Sequence, residues 1–121
     1  MVVHGREITF LRSVGANCAI DELTGGNWDT YFADNSGYAA GQRFSARFME
    51  ILSTAAEDAK VFEIEGYVKR PLTTAEAMTL DDETFNTLFQ EAMSAWKGEK
   101  PTVEVKQIPS KKKAVKKELS A

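Results

Sequence analysis

Leu80 to Gly98, LDDETFNTLFQEAMSAWKG, is the stretch whose reading decides the fold. Phe85, Leu88, Phe89, Ala92, Met93 and Trp96 recur at i, i+3, i+4, i+7, i+8 and i+11, one apolar stripe on a period of roughly 3.6 residues. Asn86, Thr87, Gln90, Glu91 and Ser94 take the other side. Asp81 is placed to cap the first turn. Asp82 and Glu83 bring negative charge to the positive end of the helix dipole, and Lys97 brings positive charge to its negative end. Gly98 is a left-handed stop, and Pro101 prevents a restart.

Upstream, Thr73-Thr74-Ala75-Glu76 is a T-x-x-E capping box that starts a short helix through about Met78, after an extended entry at Arg70-Pro71. A second long helix is expected from Tyr38 to about Asp58, because Phe44, Phe48, Ile51, Leu52 and Ala55 keep helical spacing. Gln42, Arg43, Arg47, Glu50 and Thr54 then face water, on a side equally suited to a partner. Between these helices VFEIEGYV (residues 61–68) alternates weakly, either as a short strand or as an extended connector kinked at Gly66.

Nearer the N-terminus, Asn27 begins a short helical segment, NWDTYFAD, broken at Asn35-Ser36-Gly37. Ser13 caps another, with Ala16, Ala19, Ile20 and Leu23 on one face and Thr24-Gly25-Gly26 as its stop. Val2 to Arg12 reads as a hairpin turning at His4-Gly5, with Ile8, Phe10 and Leu11 favouring strand. A hairpin of this size is marginal alone and must pack on helices. The fold class that follows is mainly α with a small N-terminal β-hairpin, built as a compact domain of four to five helices over residues 1–98. Residues 99–110, with Val103, Val105 and Ile108, read as an extended arm. Residues 111–121 have too little apolar surface to offset ordering entropy and are expected to be a disordered lysine-rich tail.

A chain of 121 residues, 43% hydrophobic and 27% charged, has the make-up of one soluble domain with a single core. No apolar run approaches the roughly 20 residues of a membrane span, and the first residues lack the apolar core of a signal peptide. The net charge of −3 is unevenly spread. Residues 111–121 hold five lysines against Glu118, a local +4, whereas the other 110 residues hold 10 basic and 17 acidic side chains. An acidic body argues against general nucleic-acid binding, which draws on clustered Lys and Arg. The lysine tail reads as a solvated segment, with nucleic acid or an acidic partner as the sharper alternative.

Little of the chain carries reactive chemistry. His4, the single histidine, sits in a turn with no carboxylate or serine near it in sequence. Cys18, the single cysteine, lies mid-helix beside apolar residues and reads as a buried, inert thiol. One Cys and one His do not make a zinc site of the usual spacing. Asp81, Asp82 and Glu83 lack the spacing of a calcium loop, and capping accounts for them. Gly25-Gly26 lacks the pattern that cradles phosphate. These readings point away from an enzyme and name no cofactor or metal. Trp28, Tyr31 and Phe32, like Phe85, Phe89 and Trp96, suit a core or a partner surface.

The order of segments adds a further expectation. A G-R-E-I-T-F strand leads to small helices, then to LTTAEAMTLDDETFNTLFQEAMSAW (Leu72 to Trp96), KGEKPTVEV (Lys97 to Val105) and a lysine-rich end. This layout resembles the tail assembly chaperones of long-tailed phages (siphoviruses) and prophages of Gram-positive bacteria. The resemblance implies a small helical, non-enzymatic protein of the host bacterial cytoplasm, absent from the mature virion. Such a protein binds the aggregation-prone tape measure protein and helps tail tube protein assemble around it, with self-association open. It also implies a longer product made by ribosomal frameshifting, for which Lys111-Lys112-Lys113 is the candidate slippery region. Within that expectation the Phe44–Ala55 and Phe85–Trp96 stripes form the core. The client surface then draws on Trp28, Tyr31 and Phe32 and on Val103 and Val105 of the arm. A phage head–tail connector or tail terminator is the structural alternative. A small DNA-associated protein using the lysine tail is the other.

Overall fold

The computed structural model of the chain describes residues 1–98. The arm with Val103 and Val105, and the tail with Lys111, Lys112 and Lys113, lie outside the described residues. Two short strands, β1 (Val2–Val3) and β2 (Arg6–Glu7), pair antiparallel, with Val2 opposite Glu7 and Val3 opposite Arg6. His4 (φ 51°) and Gly5 (φ 81°) make the left-handed two-residue turn that hairpin twist favours. Five helices follow: α1 (Val14–Thr24), α2 (Trp28–Asp34), α3 (Tyr38–Glu63), α4 (Thr74–Ala77) and α5 (Asp82–Lys97). The described residues are therefore mainly helical, with a small hairpin at the N-terminus.

Local sequence sets most of the helix ends. The side chains of Ser13, Asn27, Thr73 and Asp81 each accept the backbone N–H three residues on, satisfying a donor that the first turn leaves free. Gly98, at φ 78°, ends α5 in a conformation costly for residues with a Cβ.

The 26-residue α3 is the spine, and α1, α4 and α5 all pack on it. Phe48, Met49 and Leu52 of α3 are fully enclosed, together with Leu72 and with Leu88 of α5. Beside them lies an aromatic cluster. Trp28 stacks on Trp96 with ring centroids 5.7 Å apart, and sets its edges against Phe44 and Phe48. The α3 and α5 stripes meet in the core as their spacing requires.

A second face of α3 holds the segment between α3 and α5 by polar bonds. Glu57 Oε1 accepts the Arg70 N–H (2.8 Å), Ser53 Oγ accepts the Leu72 N–H (2.8 Å) and Glu50 Oε1 accepts the Thr74 N–H (3.0 Å). Acceptors three or four residues apart on a helix thus serve alternate donors of an extended chain running the other way. Both spacings advance by roughly 5–7 Å per step, so the two repeats stay in register. This ladder corrects the expectation that Glu50 faces water.

Three further expectations are corrected. The VFEIEGYV stretch is not a strand, and α3 runs on to Glu63 instead of ending about Asp58. No sheet edge adjoins it among the described residues, so the helix carries on to Glu63, and the chain then turns at Gly66 (φ 78°). Pairing in the hairpin ends at Ile8, whose N–H bonds the Met1 carbonyl oxygen (2.8 Å), so Phe10 and Leu11 are not in strand; the Leu11 N–H instead bonds the Leu52 carbonyl oxygen of α3 (3.1 Å). Cys18 is exposed rather than buried, because α1 buries only Ala16 and Ile20.

Candidate functional site: a groove between helices α1 and α3

One stripe of α3 borders an open groove, with Ile51 and Ala55 buried at its floor, Glu50, Thr54, Asp58 and Ala59 half-buried, and Arg47 and Phe62 exposed. Residues 47, 50, 51, 54, 55, 58, 59 and 62 recur at helical spacing along one wall of an open groove of about 580 Å³. The other wall is Gly15, Ala16 and Ala19 of α1, with Leu11 and Ser13 just before it. Its floor is apolar and small-sided. At one end stands Phe62, 91% exposed, beside the exposed Val61 and Ile64. Clustered exposed apolar side chains of this kind mark interaction surfaces more than isolated ones do.

The rim is polar. Arg47 pairs with Glu50 (3.4 Å) on one turn, and Asp58 accepts the Lys69 ammonium (2.8 Å). Glu63 and Glu65 follow Phe62 in the chain, so the Phe62 end is acidic. The α1 wall is fixed from behind by Arg12. Its guanidinium lies 3.8 Å from the centre of the Trp96 ring, donates to the Trp96 carbonyl oxygen (2.7 Å) and donates to Asn17 Oδ1 (2.9 Å).

The aromatic residues expected at a client surface lie elsewhere. Trp28, Tyr31 and Phe32 are brought together, but around Phe44 of α3 and away from the groove. Trp28 packs on four aromatic rings and Tyr31 is half-buried on Phe44, so Trp28 is a core residue and not a free surface. Its indole is the α2 side chain that fills the gap between α3 and the end of α5. Phe32 keeps 40% of its surface in water at the cluster's edge. Val103 and Val105 lie outside the described residues. The sequence reading missed the small-sided groove, although it set Arg47, Glu50 and Thr54 on a side suited to a partner. The missed signal was the continuation of that side through Ala59 to Phe62.

Two polar clusters perform structural work. Glu76 accepts both Arg6 Nη1 (2.9 Å) and Arg6 Nη2 (2.7 Å) and lies 2.7 Å from His4 Nδ1. The Arg6 guanidinium, aided by His4, holds the Glu76 carboxyl at about 2 against an ordinary 4.5. Glu76 therefore supplies only half of its capping box: its N–H meets Thr73 Oγ, while its carboxylate ties α4 to the hairpin. Glu57 is buried, which pushes its carboxyl up. Bonds from the Arg70 N–H, the Tyr67 hydroxyl and the Lys60 ammonium outweigh that and leave it below its ordinary value.

Among the described residues, no group of three His, Cys, Asp or Glu side chains is placed to hold a metal ion. None of the described helices is long and apolar enough to cross a membrane. Comparison of the chain with protein-family models, with curated proteins and with solved structures finds no match.

Proposed function

We propose that this chain is a non-enzymatic tail assembly chaperone of a long-tailed phage or prophage. It works in the host bacterial cytoplasm, binding the tape measure protein while tail tube protein assembles around it, and stays out of the finished virion. The reading is carried by the contiguous phrase from Leu72 to Val105 with its lysine-rich end. The small-sided apolar groove along α3 supports it, because recognition of an apolar helical client needs an open surface of that kind. The acidic body supports it as well, since net charge keeps a complex with an apolar client dispersed. A longer frameshifted product arising near Lys111-Lys112-Lys113 is part of the same proposal.

The test is co-expression of the chain with the tape measure protein encoded beside it, from the native nucleotide sequence including the downstream region. The expected result is a soluble complex of the two proteins, with intact mass revealing a second product that shares the first part of the chain. A tape measure protein that stays insoluble beside an abundant, folded chain overturns the proposal. Assembly of the chain into a large ring in sedimentation points instead to a head–tail connector or tail terminator.

A further inference from the structure

We propose that the α1/α3 groove seats one α-helix of the partner, with a ridge of bulky apolar side chains turned into the groove and basic side chains along its flanks. This rests on the client-binding reading above and adds the chemistry of the client segment.

Length and shape fit a helix. From Arg47 to Phe62 the groove wall runs roughly 22 Å at the helical rise of about 1.5 Å per residue, some four turns of a partner helix. Gly15, Ala19, Ala55 and Ala59 project no more than a methyl group, so the walls receive side chains rather than supply them. The Phe62 ring lies at the far end, open to an apolar contact. An extended peptide fits less well. The backbone groups of α1 and α3 are bonded within their own helices, so a strand laid here finds no ladder to join, whereas a helix satisfies its own backbone.

Charge selects which helix. Within the groove the charged side chains are paired, Arg47 with Glu50 (3.4 Å) and Asp58 with Lys69 (2.8 Å), so the selecting charge comes from its surroundings. Glu63 and Glu65 flank the Phe62 end, and Glu22 lies one turn beyond Ala19 on α1. Residues 1–98 hold 8 basic and 15 acidic side chains, so the field over the rim favours a basic helix and repels an acidic one.

The probe is a fluorescein-labelled helical peptide of about 18 residues with a leucine ridge and lysine flanks. Its controls are a glutamate-flanked counterpart and a lysine peptide of the same composition with the ridge scrambled. Anisotropy with the full chain is expected to favour the ridged lysine helix over both controls by about tenfold or more. Phe62→Ser, at a side chain in water, is expected to weaken binding about tenfold with no change in melting temperature. Gly15→Gln gives the same loss by filling the groove. Its Cβ meets nothing closer than Ser13 Oγ at 3.7 Å, and it raises helix propensity, so misfolding is not the cause.

Equal binding of the scrambled peptide, or undiminished binding by Gly15→Gln, overturns the proposal. So does a tenfold or greater gain on deleting residues 99–121, which makes the chain's own C-terminal segment the occupant. A dimer that Gly15→Gln converts to a monomer makes a second copy the occupant and overturns it likewise. Co-expression separates this inference from the reading beneath it. Tape measure protein kept soluble by Gly15→Gln overturns the seat and leaves the chaperone. Helix binding in the groove without solubilisation overturns the chaperone and leaves the seat.

Discussion

Replacing Glu76 by Gln removes a charge from the clasp between the hairpin and α4 while keeping side-chain size. Glu76 holds Arg6 through two parallel bonds, and Arg6 also donates to the Pro71 carbonyl oxygen at 3.1 Å, so the clasp pins the chain just before the ladder residue Leu72. The carboxyl is held at about 2 against an ordinary 4.5. At about 1.4 kcal/mol per unit that gap caps the charge contribution at about 3.5 kcal/mol. Arg6 and Glu76 keep 20% and 18% of their side-chain surface in water, and the substituted amide retains part of the bonding, so the expected loss is about 1–2 kcal/mol. Because folding lowers the pKa of this carboxyl, the stabilisation is fully present above pH 4.5 and is lost as pH falls towards 2. Urea unfolding followed by tryptophan emission, on the natural chain and on Glu76→Gln, reads this directly. The expected gap is constant from about pH 7 to 5 and closes by about pH 2. A gap under about 0.5 kcal/mol at pH 7, or one that persists unchanged at pH 2, refutes the reasoning.

Ser53→Ala leaves the buried Leu72 N–H without an acceptor and is expected to cost about 1–3 kcal/mol, read by chemical denaturation together with faster hydrogen exchange at the Leu72 amide. Cys18, exposed on α1, is expected to react fully with an aromatic disulfide in the native protein. Reaction only in denaturant at its unfolding transition places the thiol in the core and refutes the exposed position.

What the sequence made legible was whatever depends on near neighbours. The α5 stripe, its Asp81 cap and its Gly98 stop need no information beyond their own turn, and they stand where the spacing puts them. The same holds for Ser13, Asn27 and the His4-Gly5 turn. The ladder was illegible because Glu50, Ser53 and Glu57 look like an ordinary polar face until a chain 13 to 24 residues away lies across them. Glu76 was half legible: its N–H joins the local cap, but Arg6, 70 residues distant, takes the carboxylate. Trp28 was ambiguous because a helix-spaced aromatic carries no mark of whether its neighbours arrive from α3 and α5. The candidate groove was hidden for a related reason, since alanine spacing gives no hint of which alanines remain uncovered.

The groove follows from a mismatch of lengths. At about 1.5 Å per residue α3 runs roughly 39 Å, while the 11-residue α1 and the 16-residue α5 reach roughly 16 and 24 Å. Partners that short leave part of such a spine open, and the ladder borders that stripe and shares Glu50 with it. The uncovered end carries Val61, Phe62 and Ile64, an aggregation liability in a protein with no use for them. Glu63 and Glu65 interrupt that run, which checks association between identical acidic copies and leaves the surface open to a basic one. Phe62 itself, 91% in water, supports neither the aromatic cluster nor the ladder. The proposed client seat therefore accounts for an apolar overhang that packing of the aromatic cluster does not.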